Sequence, residues 1–463
     1  MLNRKVANDL LSWKQRKHHP LIVEGLRQIG KTFSVMEFGK TNYKSVVYID
    51  LRKNKTMHQV FENDFDVDDM VLSITALDTT ARFIPGETLV VMDEIQDCPN
   101  ARSSLKYWDM DGRYDVIATG SFLGVKGFRN VYKRGIPVGY EERYTMHQLS
   151  FFEFLENVGV SPEVMNRVEQ SLSARKPVPS ALHESLRKHY LLYLIVGGMP
   201  EAVNCFIESH DLNQIRQVQR RILASVRDDF GRYIAANGEN RINEVLKLRA
   251  EACLDSIPSQ LAKEYKKFQY SLVDVKGKSP EKADGLQYLL DVGLVCKANN
   301  IREISSPLEG NMIHDEFKVY VCDTGLLMSM LEEGTAAHVL RGDMSAYKGA
   351  VAENMVASTF VSSDRKLYYF HAPSGSPELD FIFQLNGDTT ILECKSTNNR
   401  ATSMKYVLKN PKKYGEHPAI KLADTNVGEG EGFVTFPLYA MEFLLKISSE
   451  SEDTRNKFIL GSM

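Results

Sequence analysis

The residues most able to do chemistry fall in two groups, and the first is Gly25-Leu26-Arg27-Gln28-Ile29-Gly30-Lys31-Thr32, placed directly after the apolar run Leu21-Ile22-Val23. Its two glycines let the backbone curl so that successive N–H groups point at phosphate oxygens. Lys31 then reaches the β and γ phosphates of a nucleoside triphosphate, and the Thr32 hydroxyl ligates Mg²⁺. Gly25, Gln28, Ile29, Gly30, Lys31, Thr32 and Phe33 are therefore the expected nucleotide contacts, with Lys31 also serving catalysis. Thr88 to Glu94 reads Thr-Leu-Val-Val-Met-Asp-Glu, an apolar strand that ends in two carboxylates. Asp93 is expected to hold Mg²⁺ through water, and Glu94 to polarise the attacking water as general base. The next strand closes on Ala118-Thr119-Gly120-Ser121, where Ser121 or Thr119 sits beside those acids as a sensor of the γ phosphate. Charge spreading over the transferring phosphoryl group also calls for an arginine. Arg129, Arg134 and Arg143 are near in sequence, and nothing in their spacing chooses among them.

The second group is a hairpin. Glu378 to Leu385 and Asp388 to Ser396 are β-like runs joined by Asn386-Gly387, a strong signal for a two-residue turn. Such a turn fixes the register, setting Asp380 across from Glu393 and Glu378 across from Lys395, and a side-chain period of two puts all four on one face. Directly opposed like charges destabilise a strand pair, and a cation between them reverses the sign. Asp380, Glu393 and Lys395 match the PD-(D/E)xK nuclease arrangement, in which two acids ligate Mg²⁺ and the lysine orients water or steadies developing phosphate charge. Leu379, Phe381, Phe383, Leu392 and Cys394 are expected on the opposite face, as core. Glu353, on an expected helix upstream, matches the acid that such folds add to the metal. The alternative is a solvated face with a weak Glu378–Lys395 pair, opposed by Ile382 and Ile391 on the same face.

These residues need scaffolds. Four short apolar runs, Leu21 to Val23, Val46 to Leu51, Thr88 to Met92 and Val116 to Ala118, alternate with helix-like stretches. Such alternation indicates a parallel sheet covered on both faces, with ligands at the carboxyl ends of its strands. From Phe151 the pattern is helical, most apolar at Tyr190 to Val196 and broken at Gly197-Gly198-Met199-Pro200. Helices at Glu244 to Ala252 and Pro280 to Leu290, then the strand-like Gly293 to Cys296, fit a winged helix or a small helical bundle. From Ser345 to Pro437 mixed α and β character returns, and the tail after Ser448 is acidic and polar.

A chain of 463 residues is too long for one core and implies about three domains. The net charge of −3 supplies no global field for nucleic acid, so any such contact needs a local patch. One is offered by Arg400, Lys405, Lys409, Lys412 and Lys413, against the single acid Glu416, although a basic stretch is more often a solvated surface. The six cysteines show no CxxC spacing, which argues against a zinc site or disulfide framework and for a reduced, cytoplasmic setting. The eleven histidines lack metal spacing. No apolar run reaches membrane-spanning length.

The chain resembles the AAA-like P-loop ATPases of bacteria and archaea that carry a restriction-endonuclease-like domain at the C-terminus. The resemblance runs through nearly the whole length. Besides Gly25 to Thr32 and Asp93-Glu94, it rests on Ala118 to Ser121, on Pro137-Val138-Gly139 through Leu149 to Phe154, on Val196 to Pro200, and on Lys318-Val319-Tyr320 with Asp323-Thr324-Gly325. Where the family often shows arginine after the Val-Gly pair, this chain has Tyr140. The resemblance implies an α/β protein in four regions: an AAA-like ATPase domain over 1–150, a helical region over 151–240, a winged-helix-like region over 241–335 and a restriction-endonuclease-like domain over 336–463.

The expected function is ATP hydrolysis with Mg²⁺, moving the middle regions and controlling a Mg²⁺-dependent nuclease-like domain that meets DNA. Glu94, Lys31, Glu353, Asp380, Glu393 and Lys395 would carry catalysis, with Thr32, Asp93, Glu353, Asp380 and Glu393 as metal ligands. The rival expectations are an ATP-driven regulatory switch whose C-terminal domain binds DNA or protein without cutting, and a DNA-binding adaptor that reads through its winged helix. ATP is the expected partner, DNA and a second copy or a protein partner are open to it, and a membrane is not expected.

Overall fold

The structure is a computed structural model that describes residues 1–121, 139–234, 240–263, 265–276, 278–341, 347–395 and 401–449. Arg129, Arg134, Pro137, Val138, Ser396, Arg400 and the acidic tail from Glu450 onward lie outside the described residues. The chain forms two compact units. The first comprises Met1–Gln148, Ala224–Glu251 and Val275–Leu294, and the second Leu149–Leu223, Ala252–Asp274 and Val295–Met463.

In the first unit, β1 (Leu21–Glu24), β2 (Ser45–Asp50), β3 (Thr88–Asp93), β4 (Asp115–Gly120) and β5 (Glu142–Thr145) form one sheet in the order β2-β3-β4-β1-β5. All four pairings are parallel. The apolar runs read from sequence supply β1 to β4. The fifth strand, Glu-Arg-Tyr-Thr, has no apolar run because it is an edge strand with one alternating face toward solvent. Ile22, Val90, Met92, Val116 and Ala118 pack on one side into a core with Phe61, Leu105 and Trp108. Their neighbours Val23, Leu89, Val91 and Ile117 are equally buried, so the sheet is covered on both faces. The helices are α1 (Lys5–Gln15), α2 (Lys31–Asn42), α3 (Val67–Leu77) and α4 (Pro99–Asp111). At Gly39 a side chain would press within 3.0 Å of Val46 and Leu89, so α2 lies close on β2 and β3 there because glycine lets it. A short ribbon of β6 (Arg232–Ile234) and β7 (Asn240–Ile242) completes the strands of this unit.

The second unit carries an eight-stranded mixed sheet in the order β14-β15-β13-β12-β11-β10-β8-β9. Its strands are β8 (Val295–Ile301), β9 (Met312–Val321), β10 (Tyr368–His371), β11 (Glu378–Leu385), β12 (Asp388–Lys395), β13 (Ala419–Ala423), β14 (Gly428–Gly430) and β15 (Phe433–Pro437). The strand expected near Gly293 to Cys296 is found as β8, and the β8–β9 hairpin joins the large sheet through β10. Helices at Phe151–Asn157, Pro162–Ser173, Ser180–Val196, Pro200–Ser209 and Leu212–Asp228 realise the expected helical stretch. Its break at Gly197-Gly198 has a packing cause. The Leu149 carbonyl lies where a Gly198 side chain would go, and the Gly198 N–H donates to Asp323 Oδ2 at 2.6 Å.

The β11–β12 turn has positive φ at both Asn386 and Gly387, as a type I′ turn requires. Five pairs, from Phe381–Leu392 to Leu385–Asp388, keep the expected register. The facial pattern is corrected in two places. Against β10 the register shifts between Tyr368–Ile382 and Phe370–Leu379, so β11 carries an extra residue there and Leu379 packs with Ile382 and Ile391 rather than opposite them. Glu378 pairs with Lys318 of β9 at 2.7 Å, not with Lys395. No helix among the described residues is long and apolar enough to cross a membrane, and all six cysteines are free.

Candidate functional site

The loop between β1 and α2 is shaped by left-handed backbone at Gln28 and Gly30, with φ of 63° and 88°. A side chain at Gly25 would strike the Met146 carbonyl, so the curl depends on glycine at that point. Lys31 is buried, and its Nζ lies 3.0 Å from Gly25 O, 2.9 Å from Leu26 O and 3.0 Å from Ser121 Oγ. Burial outweighs the pull of Glu94 and Asp93 and lowers the Lys31 ammonium to about 8. Thr32 donates its hydroxyl to Asp93 Oδ1 at 2.7 Å. Tyr48 from β2 donates to Asp93 Oδ2 at 2.7 Å, and Thr119 from β4 donates to Oδ1. Three neighbouring parallel strands thus deliver Lys31, Thr32, Asp93, Thr119 and Ser121 to one end of the sheet.

Glu94 leaves β3 in left-handed backbone, φ 55°, and its N–H donates to Thr119 Oγ1 at 3.3 Å. Burial raises its carboxyl above the ordinary range, opposed by Arg52 and then Lys31. Arg52 places Nη2 3.5 Å from Glu94 and Nε 2.9 Å from Asp97, while Gln96 donates to Glu94 Oε2. An open cavity of about 310 Å³ is lined by Arg27, Gly30, Lys31, Thr32, Glu94 and Ser121, together with Gln28, Phe33 and Ser225. Phe33 is 57% exposed at its mouth. The cavity is polar and sits at the strand ends, as phosphate binding requires. Hydroxyl and carboxylate oxygens of Thr32 and Asp93, adjacent at the foot of the loop, are the hard donors that Mg²⁺ takes.

Of the expected contacts, Gly25 and Ile29 do not line this cavity; Gly25 shapes the loop and Ile29 is fully buried behind it. Arg143 is turned to Glu141 at 3.1 Å and lies 3.8 Å from Glu24, away from the lining residues. Arg27, Tyr48, Arg52 and Ser225 were not singled out from sequence. Tyr48 and Arg52 were reachable in principle, because they flank the carboxyl end of the strand that neighbours β3. Ser225 carries no local signal.

At the hairpin, Asp380 accepts the Cys394 N–H at 3.0 Å and Glu393 accepts the Met404 N–H at 3.0 Å. Lys395 Nζ lies 3.5 Å from Asp380 Oδ2 and 3.2 Å from Glu393 Oε2. Glu353, on the helix Tyr347–Ser362, is buried and contacts Lys266 Nζ. Burial raises Glu353, with Lys266 opposing, and also raises Glu393, reinforced by Asp380. Asp380 is lowered despite burial, because Lys395, Lys318 and Lys266 favour its charge. The four expected residues therefore share one charged network, in which ammonium groups stand against the carboxylates. Lys266 and Lys318 were not foreseen, since long-range packing alone brings them here.

Residues 17–155 match the AAA domain family. Residues 187–337 and 348–441 match two domain families of unknown function, DUF8612 and DUF4143, which bring no activity with them. Among solved structures the chain is similar to the Walker-type ATPase PABY2304 of Pyrococcus abyssi, 14% identical over 71% of this chain and 96% of that one, with a TM-score of 0.43. It is also similar to the ORC1 protein of Aeropyrum pernix in complex with DNA, 12% identical over 74% and 93%, TM-score 0.25. A third is the Thermotoga maritima RuvB Holliday junction branch migration motor, 12% identical over 64% and 89%, TM-score 0.29. No curated protein matches. The family match spans the stretch that carries the phosphate loop and the five-stranded parallel sheet.

Proposed function

We propose that this protein binds and hydrolyses ATP with Mg²⁺ at the carboxyl end of the N-terminal sheet, and that this turnover governs a nuclease-like centre at Asp380, Glu393, Lys395 and Glu353 that meets DNA. The observation that carries the ATPase reading is the convergence of two hydrogen-bonded pairs, Lys31 with Ser121 and Thr32 with Asp93, at one end of the sheet, with Glu94 one residue beyond. The loop N–H groups and the start of α2 orient the phosphates. Lys31 exchanges loop carbonyls for phosphate oxygens, whose negative charge opposes the burial that depresses its proton affinity. Thr32 and Asp93 would hold Mg²⁺, which supplies charge neutralisation at the phosphates when bound. Glu94 accepts the proton of the attacking water, and its raised proton affinity suits that task near neutral pH. Ser121, bonded to Lys31, sits where a hydroxyl reports on the terminal phosphate.

Calorimetry with ATP and phosphate-release kinetics test the first half. Lys31→Ala is expected to abolish capture, whereas Glu94→Gln is expected to keep ATP and lose about 10²-fold or more in turnover. Undiminished turnover in Glu94→Gln would remove it as the base. For the second half, one observation favours the rival in which the C-terminal centre binds without cutting: Lys266, which is additional to the motif, compensates Glu353. Plasmid and oligonucleotide cleavage with Mg²⁺ or Mn²⁺ decides between them. Cutting that disappears in Glu393→Ala and Lys395→Ala supports a nuclease, and DNA binding with no cutting under either metal supports the switch.

A further inference from the structure

Lys266 lies outside the hairpin in sequence, yet its Nζ contacts Glu353 Oε1, with only 14% and 5% of the two side chains exposed. The other Glu353 oxygen, Oε2, is buried and has no hydrogen-bond partner among the described residues. Lys395 already serves Asp380 and Glu393, at 3.5 and 3.2 Å. Lys318 serves Glu378 at 2.7 Å. Each acid at this end of the sheet thus has an ammonium against it, and the one on Glu353 comes from a residue with no counterpart in a two-acid, one-lysine motif. An ammonium seated on a buried carboxylate is a monovalent cation placed where carboxylates converge, and two cations on one carboxylate repel.

We propose that Lys266 is a built-in substitute for a divalent cation, seated on Glu353, and that a metal enters the acid group only by displacing it. The proposal rests on reading Glu353, Asp380 and Glu393 as a metal-binding set. It makes the centre closed to metal by default and open when Lys266 withdraws. The half-partnered Glu353 carboxylate is the point at which exchange begins.

Mn²⁺ titration of the full chain, read by calorimetry and by the loss of the free-ion paramagnetic resonance signal, tests this without any cleavage readout. Lys266→Met is expected to bind one Mn²⁺ at least tenfold more tightly than wild type, Lys266→Arg to match wild type, and Lys266→Met combined with Glu353→Gln to lose the gain. An unchanged affinity in Lys266→Met, or a gain that survives Glu353→Gln, overturns the proposal. Because Lys266→Met leaves a buried carboxylate unpaired and risks misfolding, the unsubstituted protein supplies a second measurement. Labelling of Lys266 by an amine-reactive reagent, followed by mass spectrometry, is expected to rise several-fold as Mn²⁺ is added while the exposed Lys366 stays constant. Labelling that does not change across the titration overturns the proposal. Tighter Mn²⁺ binding without DNA cleavage leaves this inference standing and removes the nuclease reading; metal-dependent cleavage by a protein whose Mn²⁺ affinity ignores Lys266→Met does the reverse.

Discussion

At the scale of single residues, the ATP centre is governed by how charge is held near Glu94. Burial pushes its carboxyl up and Arg52 pulls it down from 3.5 Å, while Arg52 is itself anchored on the buried Asp97. Removing the guanidinium leaves burial less opposed, so Glu94 takes its proton at higher pH. Only the ionised carboxylate accepts a proton from water. Arg52→Ala is therefore expected to shift the acid limb of the kcat/KM profile upward, with Arg52→Lys restoring part of it. Coincident profiles for wild type and Arg52→Ala would show that Arg52 has no hold on Glu94. Lys31, Thr32, Asp93 and Glu94 were legible because each belongs to a short contiguous motif whose chemistry needs those types. Arg52 and Lys266 were not, because their roles depend on which strand lies next to which.

At the scale of elements, legibility followed the strength of the local physics. The three inner strands β1, β3 and β4 and the edge strand β2 announced themselves as apolar runs, and the Asn386-Gly387 turn fixed five pairs of the β11–β12 ladder. The polar edge strand β5 and the extra residue in β11 escaped, since neither leaves a periodic trace. Two segments singled out by resemblance, Val196 to Pro200 and Asp323-Thr324-Gly325, prove to be partners. Asp323 caps the helix Thr324–Ser329 through the Leu326 N–H at 2.8 Å and takes the Gly198 N–H at 2.6 Å. Burial raises its carboxyl to about 6 from an ordinary 3.8, against three backbone donors. Between those values the folded chain keeps a proton that the unfolded chain has lost, so this group's contribution to stability falls as pH rises and is level above about 6. The fall is at most about 3 kcal/mol. In Asp323→Asn that slope is expected to vanish, so the difference in melting temperature between wild type and variant changes from pH 4 to 6.5 and not beyond. A constant difference across that window would mean that Asp323 titrates alike in both states.

At the scale of the whole molecule, the two compact units draw on alternating stretches of chain. A linear reading divides a chain into consecutive blocks and has no signal for such interleaving. The stretch Ala252–Asp274, which bears Lys266, is joined at both ends to stretches of the first unit, so the acid centre and the ATP centre are covalently linked on both sides of that lysine. Charge is the other property of the whole chain. With a net charge of −3, attraction to DNA cannot come from the average field and must come from a patch. Lys405 lies on the short helix Thr402–Leu408 with Lys409 at its C-cap, Lys412 and Lys413 lie on Pro411–Tyr414, and the first of these helices also gives its Met404 N–H to Glu393. Tyr406 stands 49% exposed among them. Lys405 and Lys409 have Glu431 at 3.9 and 3.7 Å, too loose and too exposed a pairing to compete with a phosphate backbone. Each lysine that neutralises a phosphate releases counterions, so four contacts imply a log–log salt slope of roughly −3 to −4 for duplex DNA. The double substitution Lys409→Ala with Lys412→Ala is expected to flatten that slope by about 2 while leaving ATP affinity unchanged. Fluorescence anisotropy with a labelled duplex over a salt series measures it. A slope that the two substitutions do not alter, or no binding at all, would remove these lysines as phosphate contacts, because counterion release counts the phosphates met by whichever lysines are engaged and is indifferent to sequence.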